Sequence, residues 1–484
     1  MSRPPKGPGG YQVPAWSALF NRRDLLRVGS LGVAATLVPD PSSSAPGSEA
    51  PAREEPIGSC RSVILLWLAG GVTHLESFDP KPEAPEAVRG TLGAIATRLP
   101  GVRFSETLPC LARVADRLAV LRSYSHGDND HFVAQAYALS GRKVGRDQIT
   151  TEPNVGSVVA HLRGARAGLP GYIAVPGTTR PGPPPTNLFG GGWLGQQYAP
   201  FAVGGEGVNF TQGRKSDDPP TEIIEDLRPA VLALPEGVEA DRFAGRVRLR
   251  ERLDRVLRAS EGPVHTASLD AQYHSAYRLL TTPQVRAAFD VSREPGRVRD
   301  GYGRTKIGQR CLLARRLVEA GSRFVLVDYG YDPDYGNLWD NHRAPGQRQP
   351  NICEMAKRGY HLAGVDRAFA ALITDLESRG LLASTLVVFL TEFGRTPRIN
   401  PQGGRDHWAP AGSLFFAGGG TRGGQVIGAT DKHAAHPTGR GYTPSDVAAT
   451  IYRALGIGTG GLLYDRQGRP HPVLNEGEAI ADVL

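Results

Sequence analysis

"VDRAFAALITDLESRGLLASTLVVFLTEFGR", residues Val365 to Arg395, changes its hydrophobic period twice. In its first half Val365, Phe369, Leu372, Ile373 and Leu376 recur at helical spacing, and Gly380 is a natural stop. "STLVVFL" then runs, after Ser384 and Thr385, through five apolar residues without a break, which suits a strand buried on both faces. At its end the chain turns abruptly polar, with Glu392 and Arg395, and a little further on Arg405, Asp406 and His407.

The same unit recurs along the chain. "SVILLWLAGG" (62–71), "RLAVLRS" (117–123), "GYIAVPG" (171–177), "SRFVLVDYG" (322–330) and "SLFFAGGG" (413–420) have strand length, and "LPCLARVAD" and "GQRCLLARRLVEAG" are helical candidates that lead into two of them. In the latter, Cys311, Leu312, Ala314, Leu317 and Val318 share a face and Gly321 stands at C′. Continuous apolar strands with helices between them predict an α/β fold, a mostly parallel central sheet with helices on both faces. In such sheets ligands bind beyond the carboxyl ends of the strands.

A chain of 484 residues allows several domains or one large α/β domain with insertions, and 61 Gly and 39 Pro predict many loops. The net charge of +8 is scattered, with no run of five basic residues, which argues against a nucleic-acid partner. Cys60, Cys110, Cys311 and Cys353 lack C-x-x-C spacing, so a structural zinc site is disfavoured; buried thiols or one or two disulfides both remain open. No later stretch reaches 18 uninterrupted apolar residues, so no stable membrane span is expected.

At the N-terminus "NRRDLLRVGSLGVAATLVPD" places Arg22 and Arg23 before a short apolar stretch, Leu31 to Val38, and a Pro/Ser/Ala-rich tail. It resembles a twin-arginine export signal, which implies the twin-arginine translocase as a partner and a periplasmic or cell-envelope location. Residues 1–58 are read as signal and linker and 59–484 as one domain, with a loop and helical insertion at about 178–300. The insertion holds the Pro/Gly-rich "TTRPGPPPTNLFGGGWLGQQYAP" and an amphipathic helix over 241–260.

The loops after the strands hold the residues suited to chemistry. Thr73, His74 and Asp79 follow the first strand; Ser125, Asp128 and His131 lie in "SYSHGDNDH" after the second; Asp340 and His342 lie in "WDNH" after the fourth. Glu392, Asp406 and His407 complete the set. Carboxylates and imidazoles gathered at one sheet edge suit zinc or manganese, as one ion or as a pair about 4 Å apart that would polarise a phosphoryl or sulfuryl oxygen. Arg395 or Arg405 could hold the anion through forked hydrogen bonds. Each residue also has a structural reading: a loop Asp caps turns, Thr73 or Ser125 can cap the next turn, and Glu392 with Arg395 can form a buried ion pair.

"VILLWLAGGVTHLESFDPKP", "RSYSHGDNDH", "WDNH", "LTEFGRTPRIN", "GRDHWAP" and "GGQVIGATDKHAAHPTGRGYTPSDVAATIYRALGI" resemble the family catalogued as domain of unknown function 1501. The resemblance implies the alkaline-phosphatase-like fold shared with sulfatases, and by analogy hydrolysis of a small-molecule or polysaccharide phosphate or sulfate ester with a divalent metal such as zinc, manganese or calcium. It places Ser125 in the nucleophile region, with Thr73 a competitor, Glu392 where that superfamily has a metal Asp-His pair, and His407 at its last metal histidine. Two departures stand out. The first strand ends in Gly-Gly-Val-Thr-His instead of an early Asp, so His74 or Asp79 would have to substitute, and there is no Cys-x-Pro-Ser-Arg sequence. The alternative is a non-catalytic envelope protein that keeps the fold and binds through aromatic residues such as Trp193, Tyr198 and Trp339.

Overall fold

The computed structural model describes residues 60–176, 190–203, 282–332, 335–343 and 349–484, with positions 242, 245, 246, 248 and 249. The export-signal segment and most of the expected insertion, including nearly all of the 241–260 helix, lie outside the described residues.

The central sheet has eight strands: β1 (Ser62–Trp67), β2 (Leu118–Tyr124), β3 (Ile173–Val175), β4 (Phe201–Ala202), β5 (Phe324–Asp328), β6 (Thr385–Leu390), β7 (Gly412–Ala417) and β8 (Gln425–Ile427). Their order is β8-β2-β7-β6-β1-β5-β3-β4. β1 pairs in parallel with β5 and β6, and only β7 runs antiparallel to its neighbours, β6 and β2. The mixed α/β sheet is therefore mostly parallel.

Every residue of β1, β5, β6 and β7 is buried, the condition that makes these strands read as unbroken apolar runs. Alternate residues feed two cores. Ile64 and Leu66 face one with helices α3 (Lys306–Glu319) and α4 (Leu362–Ser378). Val63, Leu65 and Trp67 face the other with α1 (His131–Ser140), α2 (Val155–Arg163) and α5 (Pro444–Ala454). Both stop residues identified in the sequence have positive φ, Gly321 at 109° and Gly380 at 68°, the conformation that glycine adopts without Cβ strain.

One detail differs from the expected layout, and the open choice between thiols and disulfides falls to thiols. Residues 283–302 form short helices whose Val285, Ala288, Phe289 and Tyr302 enter the first core, so this end of the expected insertion is part of the domain. The four cysteines are unpaired, with Cys110 half-buried and the others buried.

Topology sets the position of the site. The segments after β1, β2, β5 and β6 leave at the carboxyl edge of the parallel strands. Because β7 is antiparallel, the segment before it, with Arg405, Asp406 and His407, arrives at that same edge.

Candidate metal centre

His131 is the first residue of α1, and its position is fixed by Asp130, whose carboxylate caps the helix by accepting from the N–H of Phe132 (3.0 Å) and Val133 (3.1 Å). His407 sits on a two-residue strand paired with Gly394–Arg395. Asp340 and His342 come from the segment beyond β5, where Trp339 is fully buried and donates its indole N–H to the Tyr329 carbonyl at 2.6 Å.

These elements bring one donor atom each from His131, Asp340, His342 and His407 to within 4.8 Å of one another. Asp340 Oδ1 lies 3.0 Å from His131 Nε2, 3.0 Å from His342 Nε2 and 3.3 Å from His407 Nε2. The far nitrogen of each ring meets an acceptor. His131 Nδ1 donates to Glu392 Oε1, His342 Nδ1 to Asp406 Oδ1, and His407 Nδ1 to the Asn129 carbonyl, each at 2.8 Å. These acceptors assign the proton to Nδ1 and leave Nε2 as a lone pair, the arrangement that prepares imidazole to ligate a metal.

Two observations test whether the residues fit a cation. His342 Nε2 and His407 Nε2 stand 2.7 Å apart, a separation that two lone pairs tolerate only with a positive charge to share. His131 Nε2 is buried and makes no hydrogen bond although Asp340 Oδ1 lies 3.0 Å away, as expected of a lone pair facing another acceptor. The donor set fits. Burial alone would raise the Asp340 pKa, but the three imidazoles around its Oδ1 and the charge of Arg395 hold it far below the usual carboxylate range. Asp340 beside it raises the pKa of His342, whereas burial lowers that of His407.

Glu392 and Asp406 stand behind the cluster and orient its histidines. Glu392 is fully buried; besides His131, it accepts from Gln135 Nε2 (2.8 Å) and from the N–H groups of Gly70 (2.8 Å) and Gly71 (3.2 Å). This explains the Gly-Gly after β1. Both residues have positive φ, and a Cβ on Gly71 would stand 2.6 Å from the Phe393 ring.

Arg395 and Arg405 do not fit the expected anion-holding role, because both are fully buried and their N–H groups are taken. Arg395 bonds Asp340 Oδ1 (2.8 Å), the carbonyls of Gly70, Gly71 (3.0 Å) and Arg405 (3.1 Å), and His342 Nε2 (3.4 Å). The expected Glu392–Arg395 pair is replaced by Arg395–Asp340. Arg405 pairs with Glu76 (2.5 Å) and bonds the carbonyls of Val88, Thr396 and Pro397.

The structure places the remaining expected residues elsewhere. Thr73 is buried and donates to Glu76 Oε2 at 2.5 Å, so it supports the Glu76–Arg405 pair instead of presenting a nucleophile. His74 is buried with Nε2 on the Ala434 carbonyl (2.8 Å), and Asp79 pairs with Lys81 (3.0 Å) and Arg122 (3.5 Å). Asp128 turns its own loop by accepting from Asp130 N at 2.8 Å. Ser125 is half-buried at the end of β2, its N–H on the Tyr442 carbonyl (2.8 Å). Of the aromatic residues expected to bind, Trp339 is internal, while the half-buried Trp193 stacks on His471 at 4.2 Å and the half-buried Tyr198 packs on His161 at 4.7 Å.

Sequence reasoning missed Glu76 and Gln135. Gln135 carried a signal, since it is the one amide in the apolar helix "FVAQAYALSG" and stands four residues after His131, on the same face.

Residues 60–484 match the family described as "Protein of unknown function (DUF1501)", and the chain belongs to that family. No curated protein matches it in sequence. Among solved structures it is distantly similar to the PsFucS1 sulfatase from Pseudoalteromonas sp. (14% identity, 82% of this chain and 68% of that one, TM-score 0.36). Another is the C-terminal periplasmic domain of EcEptC from Escherichia coli in complex with Zn (12%, 84% and 86%, 0.35). A third is the phosphonate monoester hydrolase of Agrobacterium radiobacter (12%, 87% and 76%, 0.33). At these TM-scores the likenesses say nothing about what this chain does. Among the described residues no helix is long and apolar enough to cross a membrane.

Proposed function

We propose that the chain is an exported metal-dependent hydrolase of phosphate or sulfate esters with an alkaline-phosphatase-like fold, its site built from His131, Asp340, His342 and His407. The observation that carries this reading is the convergence of three imidazole Nε2 atoms on one carboxylate oxygen, each ring held from behind by its own acceptor. Three nitrogens and one oxygen suit zinc or manganese; calcium, which takes six to eight oxygens, is disfavoured.

A divalent ion there would supply Lewis acidity, polarising an ester oxygen and acidifying water. The protein's part is to hold the donors. Glu392, Asp406 and the Asn129 carbonyl keep each Nδ1 protonated, and Arg395 keeps Asp340 ionised. Phe393, fully buried with its ring 5.0 Å from that of His131 and 4.9 Å from that of His407, lines one side with hydrocarbon and keeps water from the back of the rings.

The saturation of Arg395 and Arg405 favours the rival reading, a non-catalytic cell-envelope binding protein that keeps the alkaline-phosphatase-like fold. A panel of aryl phosphate and sulfate esters with added zinc or manganese separates the two. Turnover reduced at least about 100-fold in His407→Ala is expected. Metal-loaded, folded protein inert across the panel would reject the hydrolase.

A further inference from the structure

Resting on the metal reading above, we propose that the centre takes a single divalent cation and that the Arg395 guanidinium fills the place and the charge of a second. Donors come first. Among the described residues only one group of three or more ligand-type side chains lies close enough to share an ion, and it consists of four atoms, His131 Nε2, His342 Nε2, His407 Nε2 and Asp340 Oδ1. Of the nearby acids, Glu392 and Glu76 are engaged, which leaves Asp406, bonded to His342 through Oδ1 and exposed, as the acid that a second ion would need. Both oxygens of Glu392 accept from Gly70, with Oε1 also taking His131 and Gln135, and Oε2 taking Gly71 and Thr391. Glu76 is held by Arg405 and Thr73.

Arg395 then occupies the space. Its Nη2 approaches Asp340 Oδ1, the atom all three histidines share, to 2.8 Å, and its remaining N–H groups are pinned by three carbonyls and His342. A guanidinium cannot shed its proton to make room for a cation. Charge gives the same answer. With neutral histidines, one divalent ion and Arg395 carry three positive charges, matched by the carboxylates of Asp340, Glu392 and Asp406, all of which act electrostatically on Arg395. A second divalent ion would leave one uncompensated charge in the place of Arg395, or two beside it, at a half-buried site.

The test is metal stoichiometry on the full-length folded protein loaded with Mn²⁺ and desalted, with the electron paramagnetic resonance spectrum of the bound ion. One ion per chain with the hyperfine pattern of isolated Mn²⁺ is the expected result. Two ions per chain, or the exchange-coupled spectrum of a pair about 4 Å apart, would overturn the single-ion proposal while leaving the metal centre standing. No bound metal would instead overturn the metal reading itself, and this proposal with it. R395Q, which keeps much of the volume and removes the charge, should raise the stoichiometry towards two, and a folded R395Q still holding one ion would overturn the role given to Arg395. Should R395Q fail to fold, the wild-type stoichiometry and spectrum still decide between one ion and two.

Discussion

Replacing Glu392 with Gln tests whether the residues behind the histidines, and not only the ligands, make the centre. The substitution keeps shape and removes charge. The carboxylate accepts six hydrogen bonds from five groups: Gly70 N–H by both oxygens, His131, Gln135, Gly71 and Thr391. A Gln side chain keeps one oxygen; if it faces His131, the amide NH₂ confronts the Gly71 N–H and leaves a buried donor unpaired, costing about 1–3 kcal/mol. The His131 bond also changes from charge-assisted to neutral, roughly halving it. Loss of such an outer partner lowers metal affinity by about 10–100-fold, which is about 1.4–2.7 kcal/mol. Competition for Zn²⁺ against a calibrated chelator measures the affinity, and urea unfolding of the metal-free protein measures the stability separately. Folded Glu392→Gln with zinc affinity within about twofold of the parent would refute the reasoning, because the His131–Glu392 contact would then do nothing for the ion.

Three further outcomes are expected. Glu76→Gln unpairs Arg405, which is fully buried, and should destabilise the protein by about 3–5 kcal/mol in denaturant unfolding; a loss under about 1 kcal/mol would contradict a tight internal pair. Gly71→Ala puts a Cβ into the Phe393 ring at a φ of 81°, so it should lower stability by more than about 1 kcal/mol and weaken zinc binding through Glu392, as checked by thermal unfolding and the same chelator titration. Burial lowers the pKa of His361 to about 3. The unfolded chain then takes up a proton below about pH 6.5 that the native state refuses, so stability falls with pH between about 6.5 and 3, by about 1.4 kcal/mol per unit. His361→Gln should flatten this part of the profile between pH 7 and 5, and an unchanged slope would show that His361 is protonated in the native state.

The fold was legible because both faces of the sheet are covered, which turned β1, β5 and β6 into apolar runs that few other structures require. Strand direction was not legible. β7 has the same composition as its parallel neighbours, and its reversal, which brings His407 to the carboxyl edge, depends on pairing with β2 nearly 300 residues away. Of the residues singled out for metal chemistry, His131, Asp340, His342 and His407 meet, while Glu392 and Asp406 stand one bond behind them. His74 and Asp79 were chosen for following β1, yet each is bonded to a residue far along the chain, His74 to Ala434 and Asp79, besides Lys81 and Arg122, to Thr430. Arg395 shows the same limit, since a residue three positions from Glu392 makes its ion pair with Asp340, 55 positions back.

The most direct test is diffraction from crystals of the folded protein grown with Zn²⁺, using data on both sides of the zinc absorption edge. One anomalous peak about 2.0–2.2 Å from His131 Nε2, His342 Nε2, His407 Nε2 and Asp340 Oδ1 is the result expected. A map without a peak there in crystals shown to contain zinc, or with zinc only at other sites, would contradict a metal centre at this sheet edge.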